Sequence, residues 1–516
     1  MITPEVARYL TEISRDINRQ TGILVDRKGE IISVIVGTPQ EILIPDLKRF
    51  RTGAGRLRGI RCIHTHLKGE RLSRDDLTDL ALLRLDMMAA LEVKKTGLPG
   101  LVHMAHLIPE NREEKRWEIL KPVFPWDLDI PFDTFISSLE NEIVKKTGAA
   151  RGAGREGRCM LVSVTTRKKD EAAASMTELK ALAESAGTEV LGEVIQYPSR
   201  INPKYLMGSG KLKDLIIKCL QQGADLLVFD QNLSPVQVKS ITETTEIKVM
   251  DRTQLILDIF AQRAHSREGK VKVELAQLRY IKPRLMAKDD ALSRLTGGIG
   301  GRGPGETKLE IDRRRINDRI NALQKELKII SGGRETRKSR RLKSGLPLVS
   351  IIGYTNAGKS TLFNALTGSS VAEENRLFAT LDTTTRKRRL QNGREIVLSD
   401  TVGFIRDLPQ ELVDTFKSTL DELQDSSLLI HVVDVTDDNA AEQIKAVERI
   451  LNEINAGDIP RCLAMNKIDA ATPEQFARAA MNLKGLPVSA KKHSGFDELI
   501  AKINSMLEIN SRNNNE

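Results

Sequence analysis

The sequence is poor in cysteine, in aromatic residues and in long apolar runs. Its four cysteines (Cys62, Cys159, Cys219 and Cys462) are widely separated and form no C-x-x-C pair. This spacing argues against a disulfide framework or a zinc knuckle and favours a reducing compartment. No apolar run approaches the roughly 20 residues that span a bilayer, and Met1 to Arg15 lack the apolar core of a secretion signal. We therefore expect a cytoplasmic protein without a membrane span.

Length and charge set the outer bounds of what the chain can be. A chain of 516 residues is long enough for about three domains with their own cores. Lysine and arginine number 80 against 70 acidic residues, which gives a net charge of +10 and a pI near 9.3. This surplus suits a polyanionic partner, but many basic proteins bind none, so charge alone does not decide the matter.

One stretch matches the phosphate-binding loop pattern G-x-x-x-x-G-K-[ST] at every required position. It consists of Gly353, Tyr354, Thr355, Asn356, Ala357, Gly358, Lys359 and Ser360. An apolar run at 348–352 predicts a strand before the loop, and helical spacing at 361–366 predicts a helix after it. The glycines let the backbone wrap a phosphate, Lys359 supplies the cation, and Ser360 offers a hydroxyl to Mg²⁺.

Three later motifs indicate which base the loop would serve. They comprise Asp400, Thr401, Val402 and Gly403, then Asn466, Lys467, Ile468 and Asp469, and finally Ser489, Ala490 and Lys491. Each motif follows an apolar run with strand character. The Asp469 carboxylate can accept hydrogen bonds from the N1–H and the exocyclic amine of guanine, whereas adenine has no such donor pair. The predicted nucleotide is therefore GTP, with GDP as product.

In this order the motifs resemble those of the translation-factor-related GTPases. The string from Gly353 to Asn364 is similar to the HflX family in particular, as is a second segment made of Phe378, Ala379, Thr380, Leu381 and Asp382. The resemblance covers about residues 157–510. It implies a GTPase that binds the large (50S) ribosomal subunit and its rRNA, splits or rescues ribosomes under stress, and can contact membranes peripherally. We expect a monomer.

The resemblance also suggests how hydrolysis proceeds. Ser360 and Thr380 are expected to ligate Mg²⁺, and Lys359, Asn356 and Thr380 are the predicted catalytic residues. Ras-like enzymes place a glutamine after D-x-x-G to orient the attacking water, but Phe404 stands there in this sequence. Slow intrinsic turnover is therefore expected. Asn356 occupies the position that ligates K⁺ in similar bacterial GTPases, so K⁺ or the ribosome should accelerate the reaction.

The predicted fold is a multidomain α/β protein with five segments. They are an α+β N-terminal extension (1–150), a small α/β layer with a parallel sheet (157–252), a helical hairpin (253–330), a basic linker (331–346) and a doubly wound P-loop G domain (347–510). The hairpin prediction depends on a heptad-like seam, namely Leu309, Ile316, Ile320, Leu323, Leu327 and Ile330, with residues 254–280 as its partner. A glycine-rich loop at 297–305 could enter a narrow RNA-lined space, or it could be a flexible connector.

The N-terminal segment contains a possible metal site of its own. Residues 22–37 predict a β-hairpin, and a further strand leads into His64 and His66, which alternate and so face one side. Together with Ser73 and Asp76 these residues resemble the zinc site of the JAB/MPN family, although the spacer is one residue shorter. Two histidines satisfied by ordinary hydrogen bonds are the alternative.

The shortened spacer predicts that this segment has lost hydrolytic activity, with loss of the metal also left open, and that it serves in docking or regulation. Glu30 and Glu41 are the upstream glutamates that could act as a general base if activity remained. Two alternatives to a ribosome-splitting GTPase therefore stay open at this point. One is a GTP-gated RNA or ribosome assembly factor, and the other is a GTPase-regulated metallohydrolase.

Overall fold

The computed structural model describes most of the chain. The described residues are 2–45, 47, 56–109, 111, 115–148, 157–286, 308–343, 346–368, 377–378, 384–390, 393–406 and 423–513. They form two compact units, one of Met1–Thr166, Gly187–Val228 and Ser240–Val249, the other of Arg167–Ala186, Phe229–Lys239 and Met250–Glu516. Among the described helices, none combines the length and apolar character needed to cross a membrane.

The N-terminal segment folds around a six-stranded sheet. In chain order its elements are α1 (Pro4–Ile17), β1 (Thr21–Asp26), β2 (Ile31–Val36), β3 (Ile60–His66), α2 (Arg74–Leu82), β4 (Met87–Val93), β5 (Pro99–Leu107), β6 (Trp117–Ile119), a 3-10 turn (Pro125–Asp127) and α3 (Phe132–Gly148). The strand order is β2-β1-β3-β4-β5-β6. The predicted hairpin is confirmed as the antiparallel pair β1–β2. Strand β3 is buried along its whole length because apolar clusters cover both faces of the sheet.

A smaller α/β layer follows. It contains β7 (Arg158–Val164), α4 (Lys169–Ser185), β8 (Glu189–Gln196), α5 (Ser209–Gln222), β9 (Leu226–Phe229), α6 (Pro235–Thr244) and β10 (Lys248–Asp251). The sheet order is β10-β9-β7-β8, and β7 pairs with β8 in parallel. The parallel β7–β8 pair agrees with the parallel sheet predicted for this layer. Strand β8 lies at the sheet edge with every residue at least partly accessible, so it lacks the continuous apolar run of a buried strand.

The predicted helical hairpin is present, but its bounds differ from the prediction. Its helices are α7 (Arg252–Arg263), α8 (Arg267–Met286) and α9 (Lys308–Lys343). Five of the six predicted seam residues pack as expected, with Ile320 and Leu323 buried against Val271 and Leu275 of α8. The side chain of Leu309 lies outside the described part of the chain. The predicted partner segment, 254–280, consists of two helices, because α7 ends where Ala264 adopts an extended backbone conformation.

The predicted basic linker at 331–346 is wrong over most of its length. Residues 331–343 continue helix α9 without a break. Arginine and lysine have high intrinsic helix propensity, so a basic run that follows a packed helix can extend it despite two glycines. The glycine-rich loop at 297–305 lies outside the described residues.

The C-terminal segment is a doubly wound α/β domain. Its elements are β11 (Leu348–Gly353), α10 (Lys359–Thr367), β12 (Thr384–Arg389), β13 (Glu395–Asp400), β14 (Leu428–Asp434), α11 (Ala440–Glu453), β15 (Arg461–Asn466), α12 (Pro473–Asn482), β16 (Leu486–Pro487) and α13 (Phe496–Asn513). The sheet order is β12-β13-β11-β14-β15-β16, and only β12 is antiparallel to its neighbour. The carboxyl ends of the parallel strands therefore share one edge, where ligands bind in such folds.

Candidate functional site

At two positions, the loop between β11 and α10 has backbone angles that favour glycine. Gly353 has φ +148° and Gly358 has φ +90°. A Cβ on Gly353 would lie 2.3 Å from the carbonyl oxygen of Val432, and one on Gly358 would lie 2.3 Å from Nδ2 of Asn466. Both glycines are thus required by close backbone approach as well as by backbone angle.

Lys359 occupies the centre of this loop. Its side chain is buried, and its Nζ donates a hydrogen bond of 2.7 Å to the carbonyl oxygen of Tyr354. A Cβ on Gly403 would lie only 3.0 Å from the same Nζ, so this glycine allows the D-x-x-G segment to approach the lysine. Burial lowers the pKa of Lys359 to about 8, while the Asp400 carboxylate opposes that shift. A bound phosphate would favour the charged form further.

Ser360 and Asp400 form the part of the site that fits Mg²⁺. The Ser360 hydroxyl donates a 2.8 Å hydrogen bond to Oδ2 of Asp400, which is fully buried. Next to it, the Thr401 hydroxyl donates to the carbonyl oxygen of Ile351 at 2.7 Å and anchors the end of β13. A hydroxyl beside a carboxylate is a hard oxygen donor set of the kind that Mg²⁺ prefers.

Most of the predicted switch segment lies outside the described residues. This applies to Ala379, Thr380, Leu381 and Asp382, so the expected second hydroxyl ligand of Mg²⁺, Thr380, remains a prediction. Phe378, the first residue of this segment, is described, and it is buried with φ +58°. Its ring packs on Phe260 of α7 with a centroid separation of 4.6 Å, and the N–H of Leu377 donates to the Ser185 hydroxyl of α4.

The predicted base-recognition motifs meet at the carboxyl ends of β15 and β16. Oδ1 of Asp469 accepts a 2.6 Å hydrogen bond from the Ser489 hydroxyl, and this bond lowers the pKa of the carboxyl. The side chain is only partly buried, so the ionised carboxylate can still receive donors from a base. Lys467 pairs with Asp434 at 2.7 Å, which holds its stem across the site.

Asn466 connects base recognition to the phosphate loop. Its Nδ2 donates to the carbonyl oxygen of Ala357 at 2.9 Å, and its Oδ1 accepts from the N–H of Ala490 at 2.9 Å. The side chain is buried. One amide therefore fixes the distance between the loop that would hold the phosphates and the loop that would hold the base. Ile468 packs nearby on Met465 and Val435, whereas Lys491 is exposed.

Phe404 connects two segments of the site, a role that the sequence did not predict. Its ring is buried, its N–H donates to the carbonyl oxygen of Gly353 at 3.1 Å, and its own carbonyl accepts from the N–H of Thr355 at 2.8 Å. The residue thus joins the D-x-x-G segment to the phosphate loop through the backbone. Asn356, the predicted K⁺ ligand, is exposed at the loop tip with φ +60°.

Tyr354 belongs to a largely buried polar network that the sequence does not predict. The Tyr354 hydroxyl donates to Oε1 of Glu178 in α4 and accepts from the N–H of Arg406 at 2.7 Å. Oε2 of Glu178 lies 2.6 Å from Arg252, whose other terminal nitrogen lies 3.1 Å from Asp230. Burial raises the pKa of the Tyr354 phenol, and the Glu178 carboxylate raises it further. Because Glu178 and Tyr354 are 176 residues apart, no local pattern predicts their contact.

The N-terminal residues singled out by the sequence also come together. Nε2 of His64 lies 3.0 Å from Nε2 of His66 and 3.2 Å from Oδ1 of Asp76. Burial disfavours the Asp76 carboxylate, but the neighbouring imidazoles of His64 and His66 lower its pKa below the usual range. Within the described residues Glu30 and Glu41 do not belong to this group, and both are exposed.

Comparison with known proteins identifies three consecutive regions. Residues 173–261 match the family model described as GTP-binding GTPase N-terminal, 263–341 match GTP-binding GTPase Middle Region, and 348–467 match 50S ribosome-binding GTPase. The chain is 47% identical to the GTPase HflX of Caldanaerobacter subterraneus over 68% of its own length and 80% of that relative. It is 46% identical to the GTPase HflX of Escherichia coli over 58% of its length and 71% of that relative.

A solved structure also matches the chain. It is a GTP-binding protein from Sulfolobus solfataricus in complex with GDP, 27% identical, aligned over 68% of this chain and 99% of that one with a TM-score of 0.36.

We expect Asp469→Asn to change base preference from guanine toward xanthine. The amide keeps one oxygen that can accept from the N1–H present in both bases, but its NH₂ group opposes the exocyclic amine of guanine and suits the oxygen that xanthine has at that place. Competition of GTP and XTP for the purified variant measures the change. Each lost charge-assisted hydrogen bond should cost about 1.5–3 kcal/mol of binding. Asp497→Asn, which changes a carboxylate of α13, is the matched control, and full GTP preference in Asp469→Asn would remove the base assignment.

We expect Tyr354→Phe to destabilise the second unit by about 1–3 kcal/mol, because the change leaves the buried Glu178 carboxylate and the Arg406 N–H without their shared hydroxyl. Denaturant unfolding of the nucleotide-free protein measures the loss. Tyr197→Phe is the control, since the Tyr197 side chain is largely exposed. Equal stability of the Tyr354 variant and the parent would mean that the network contributes nothing to folding.

Proposed function

The chain belongs to the GTPase HflX family, and we propose that it couples GTP hydrolysis to association with the large ribosomal subunit, which it splits or rescues under stress. GTP hydrolysis itself follows from the family. The ribosomal part is supported by the description of the family model that matches the G domain and by the contacts below.

The contact of Arg252 with Glu178 is the observation that carries this proposal. Arg252 is the first residue of α7, and Glu178 in turn holds the Tyr354 hydroxyl of the phosphate loop. Arg252 is almost completely buried and remains charged; burial opposes its ionisation, but the carboxylates of Glu178 and Asp230 raise its pKa. A rearrangement of the phosphate loop would therefore act directly on the start of the helical hairpin.

The segments that respond to the γ-phosphate in GTPases also contact Tyr354 and helix α7. Arg406, two residues after Phe404, donates its N–H to Tyr354 and accepts a 3.4 Å hydrogen bond from Arg252. On the other side, Phe378 packs on Phe260 of α7. The segments that contain Phe378 and Arg406 therefore both contact α7. We infer that nucleotide state is transmitted to the hairpin through these contacts.

Helix α9 offers a surface suited to RNA. Its 36 residues include 13 lysines and arginines against 5 acidic residues. The apolar seam faces α8, which leaves Arg313, Arg314 and Arg315 exposed. Clustered cations bind phosphates and release counterions, so this surface favours a structured RNA partner. The loop at 297–305 joins α8 to α9, and we propose that it inserts among RNA bases, since six of its nine residues are glycines.

We propose that Ser360 and Thr380 would hold Mg²⁺, with Asp400 next to Ser360. When bound, this ion neutralises charge on the β- and γ-phosphates. The chain's own part is to hold Lys359 buried at the loop centre and to fix the Ser360 hydroxyl on Asp400. Phe404 cannot orient water, because its ring is buried and has no hydrogen-bonding atom.

A second candidate function is a GTP-gated assembly factor acting on another RNA. The same basic surface of α9 favours it, because a phosphate backbone is recognised by charge whatever the RNA. The two candidates differ in whether intact ribosomes separate into subunits.

We expect the GTP-loaded protein to shift intact ribosomes toward free subunits in a sucrose gradient. Lys359→Ala should abolish the shift, because the phosphates lose their fixed cation. Charge reversal at Arg334, Arg337, Arg340 and Arg341 should weaken ribosome binding at least about tenfold and flatten its salt dependence. The GTPase rate without ribosomes should stay unchanged in this second variant.

Charge reversal at Lys28, Lys95, Lys121 and Lys145 is the matched control, because these exposed lysines change net charge equally outside the hairpin. Loss of binding in both variants would point to net charge rather than to α9. Binding to free RNA without any change in the gradient would favour the assembly factor. A thermal melt of each variant verifies folding.

We expect K⁺ to accelerate GTP hydrolysis over Na⁺ by about tenfold or more, still less than the 10³–10⁵ of an arginine finger. Asn356 lies exposed at the loop tip, and we propose that its side-chain oxygen ligates K⁺ beside the phosphates. Single-turnover rates in matched KCl and NaCl measure the effect, and Asn356→Ser should reduce the difference. Equal rates in both salts would exclude this role of Asn356.

A further inference from the structure

We propose that His64, His66 and Asp76 bind one Zn²⁺ ion, independently of the GTP site. The three residues come from two elements of the N-terminal sheet domain, β3 and the first turn of α2. All three are buried, and one ligand atom from each lies within 4.8 Å of the others. Nothing in the proposed GTPase cycle uses them.

The separations between the donor atoms are those of ligands around one small cation. Nε2 of His64 lies 3.0 Å from Nε2 of His66 and 3.2 Å from Oδ1 of Asp76, and Nε2 of His66 lies 3.5 Å from Oδ2 of Asp76. Two ligands bound to tetrahedral Zn²⁺ at about 2.0–2.1 Å lie roughly 3.3–3.4 Å apart. The cluster therefore already has the spacing that such an ion requires.

The orientation of His66 leaves a lone pair directed into the cluster. Its Nδ1 lies 3.0 Å from the carbonyl oxygen of Glu70, which can only accept, so Nδ1 carries a proton. In the neutral ring Nε2 is then unprotonated and faces the Asp76 carboxylate. A backbone carbonyl that holds the distal nitrogen of a histidine is a common support of a metal ligand.

Hydrogen bonds among the three residues satisfy the polar atoms of the cluster less completely than a bound cation would. His64 is completely buried, and among the described residues its Nδ1 has no hydrogen-bond partner, so its polar contacts lie at Nε2. One proton on that Nε2 can serve His66 or Asp76 but not both. The remaining lone pairs then face each other at close range, whereas a divalent cation attracts all of them.

The surrounding structure holds the ligands in place. Strand β3 pairs with β1 and β4 on its two sides. Gly22 lies opposite His64, and a Cβ there would come within 3.0 Å of the His64 Cβ. Asp76 is fixed by a capping box, in which the Ser73 N–H donates to its Oδ2 at 2.7 Å and the Asp76 N–H donates to the Ser73 hydroxyl. Such support is what a preorganised metal site needs.

The donor set determines which metal fits. Two imidazoles suit Zn²⁺, Co²⁺ and their neighbours rather than Mg²⁺, which prefers oxygen alone. Three protein ligands leave a fourth position for water. Glu92 is the cross-strand neighbour of His66, but its carboxylate binds His103 at 2.8 Å and the N–H of Leu101.

Metal analysis of the full-length protein, purified without a histidine tag, tests this inference. After incubation with Zn²⁺ and desalting, the parent should retain about one equivalent per chain. The double variant His64→Ala/His66→Ala should lose at least about nine-tenths of it. His103→Ala is the matched control, since His103 is also a buried histidine of this sheet and lies outside the cluster, and it should retain the metal.

A second measurement uses the unaltered protein and therefore does not require any variant to fold. Titration of the parent with Co²⁺ should produce the visible absorption of a tetrahedral ion with nitrogen and oxygen ligands, saturating at about one equivalent and displaced by Zn²⁺. Mg²⁺ should not displace it. Absence of this absorption together with no retained Zn²⁺ would overturn the inference. Zn²⁺ that stays in the double variant, or that leaves in His103→Ala, would place the metal elsewhere.

Discussion

The nucleotide site depends on one buried amide, that of Asn466. Because its two ends bind the phosphate loop at Ala357 and the base-side loop at Ala490, the two loops cannot move apart without breaking at least one of these bonds. Gly358 must lack a side chain for the same reason, since a Cβ would lie 2.3 Å from the Asn466 amide. Buried hydrogen bonds of this kind matter most when one partner is lost, because the other is left desolvated. The geometry of the whole site follows from this pairing.

The Tyr354 network gives the same loop a second attachment of a different kind. It is ionic and almost fully buried, and it connects the loop to α4 and α7. A buried ion pair contributes little net stability compared with apolar packing, yet removing one partner costs several kcal/mol. Such a network is therefore better explained by specificity of arrangement than by stability. It holds one geometry of the phosphate loop against the hairpin, and a change of that geometry requires the partners to separate together.

The chain also combines two chemically different polar clusters. The G-domain cluster consists of hydroxyl, carboxylate, lysine and backbone groups, which suit phosphates and Mg²⁺. The N-terminal cluster consists of two imidazoles and a carboxylate, which suit a softer ion. The two belong to separate compact units. Because their donor atoms differ, the two proposed sites would prefer different metals.

The sequence by itself determined the G domain, the order of its motifs and the apolar seam of the hairpin. These features depend on local spacing: a glycine loop between strand and helix, or apolar residues every three or four positions, has the same meaning wherever it occurs. The helical continuation of α9 through 331–343 was missed, because a charged run without apolar periodicity resembles a linker. Only the tertiary structure decided that Tyr354, Glu178 and Arg252 meet, that Phe404 is buried, and that His64, His66 and Asp76 have ligand-like separations. Such contacts join residues on different elements, and their distances are set by how strands pair and helices pack rather than by neighbours in the chain.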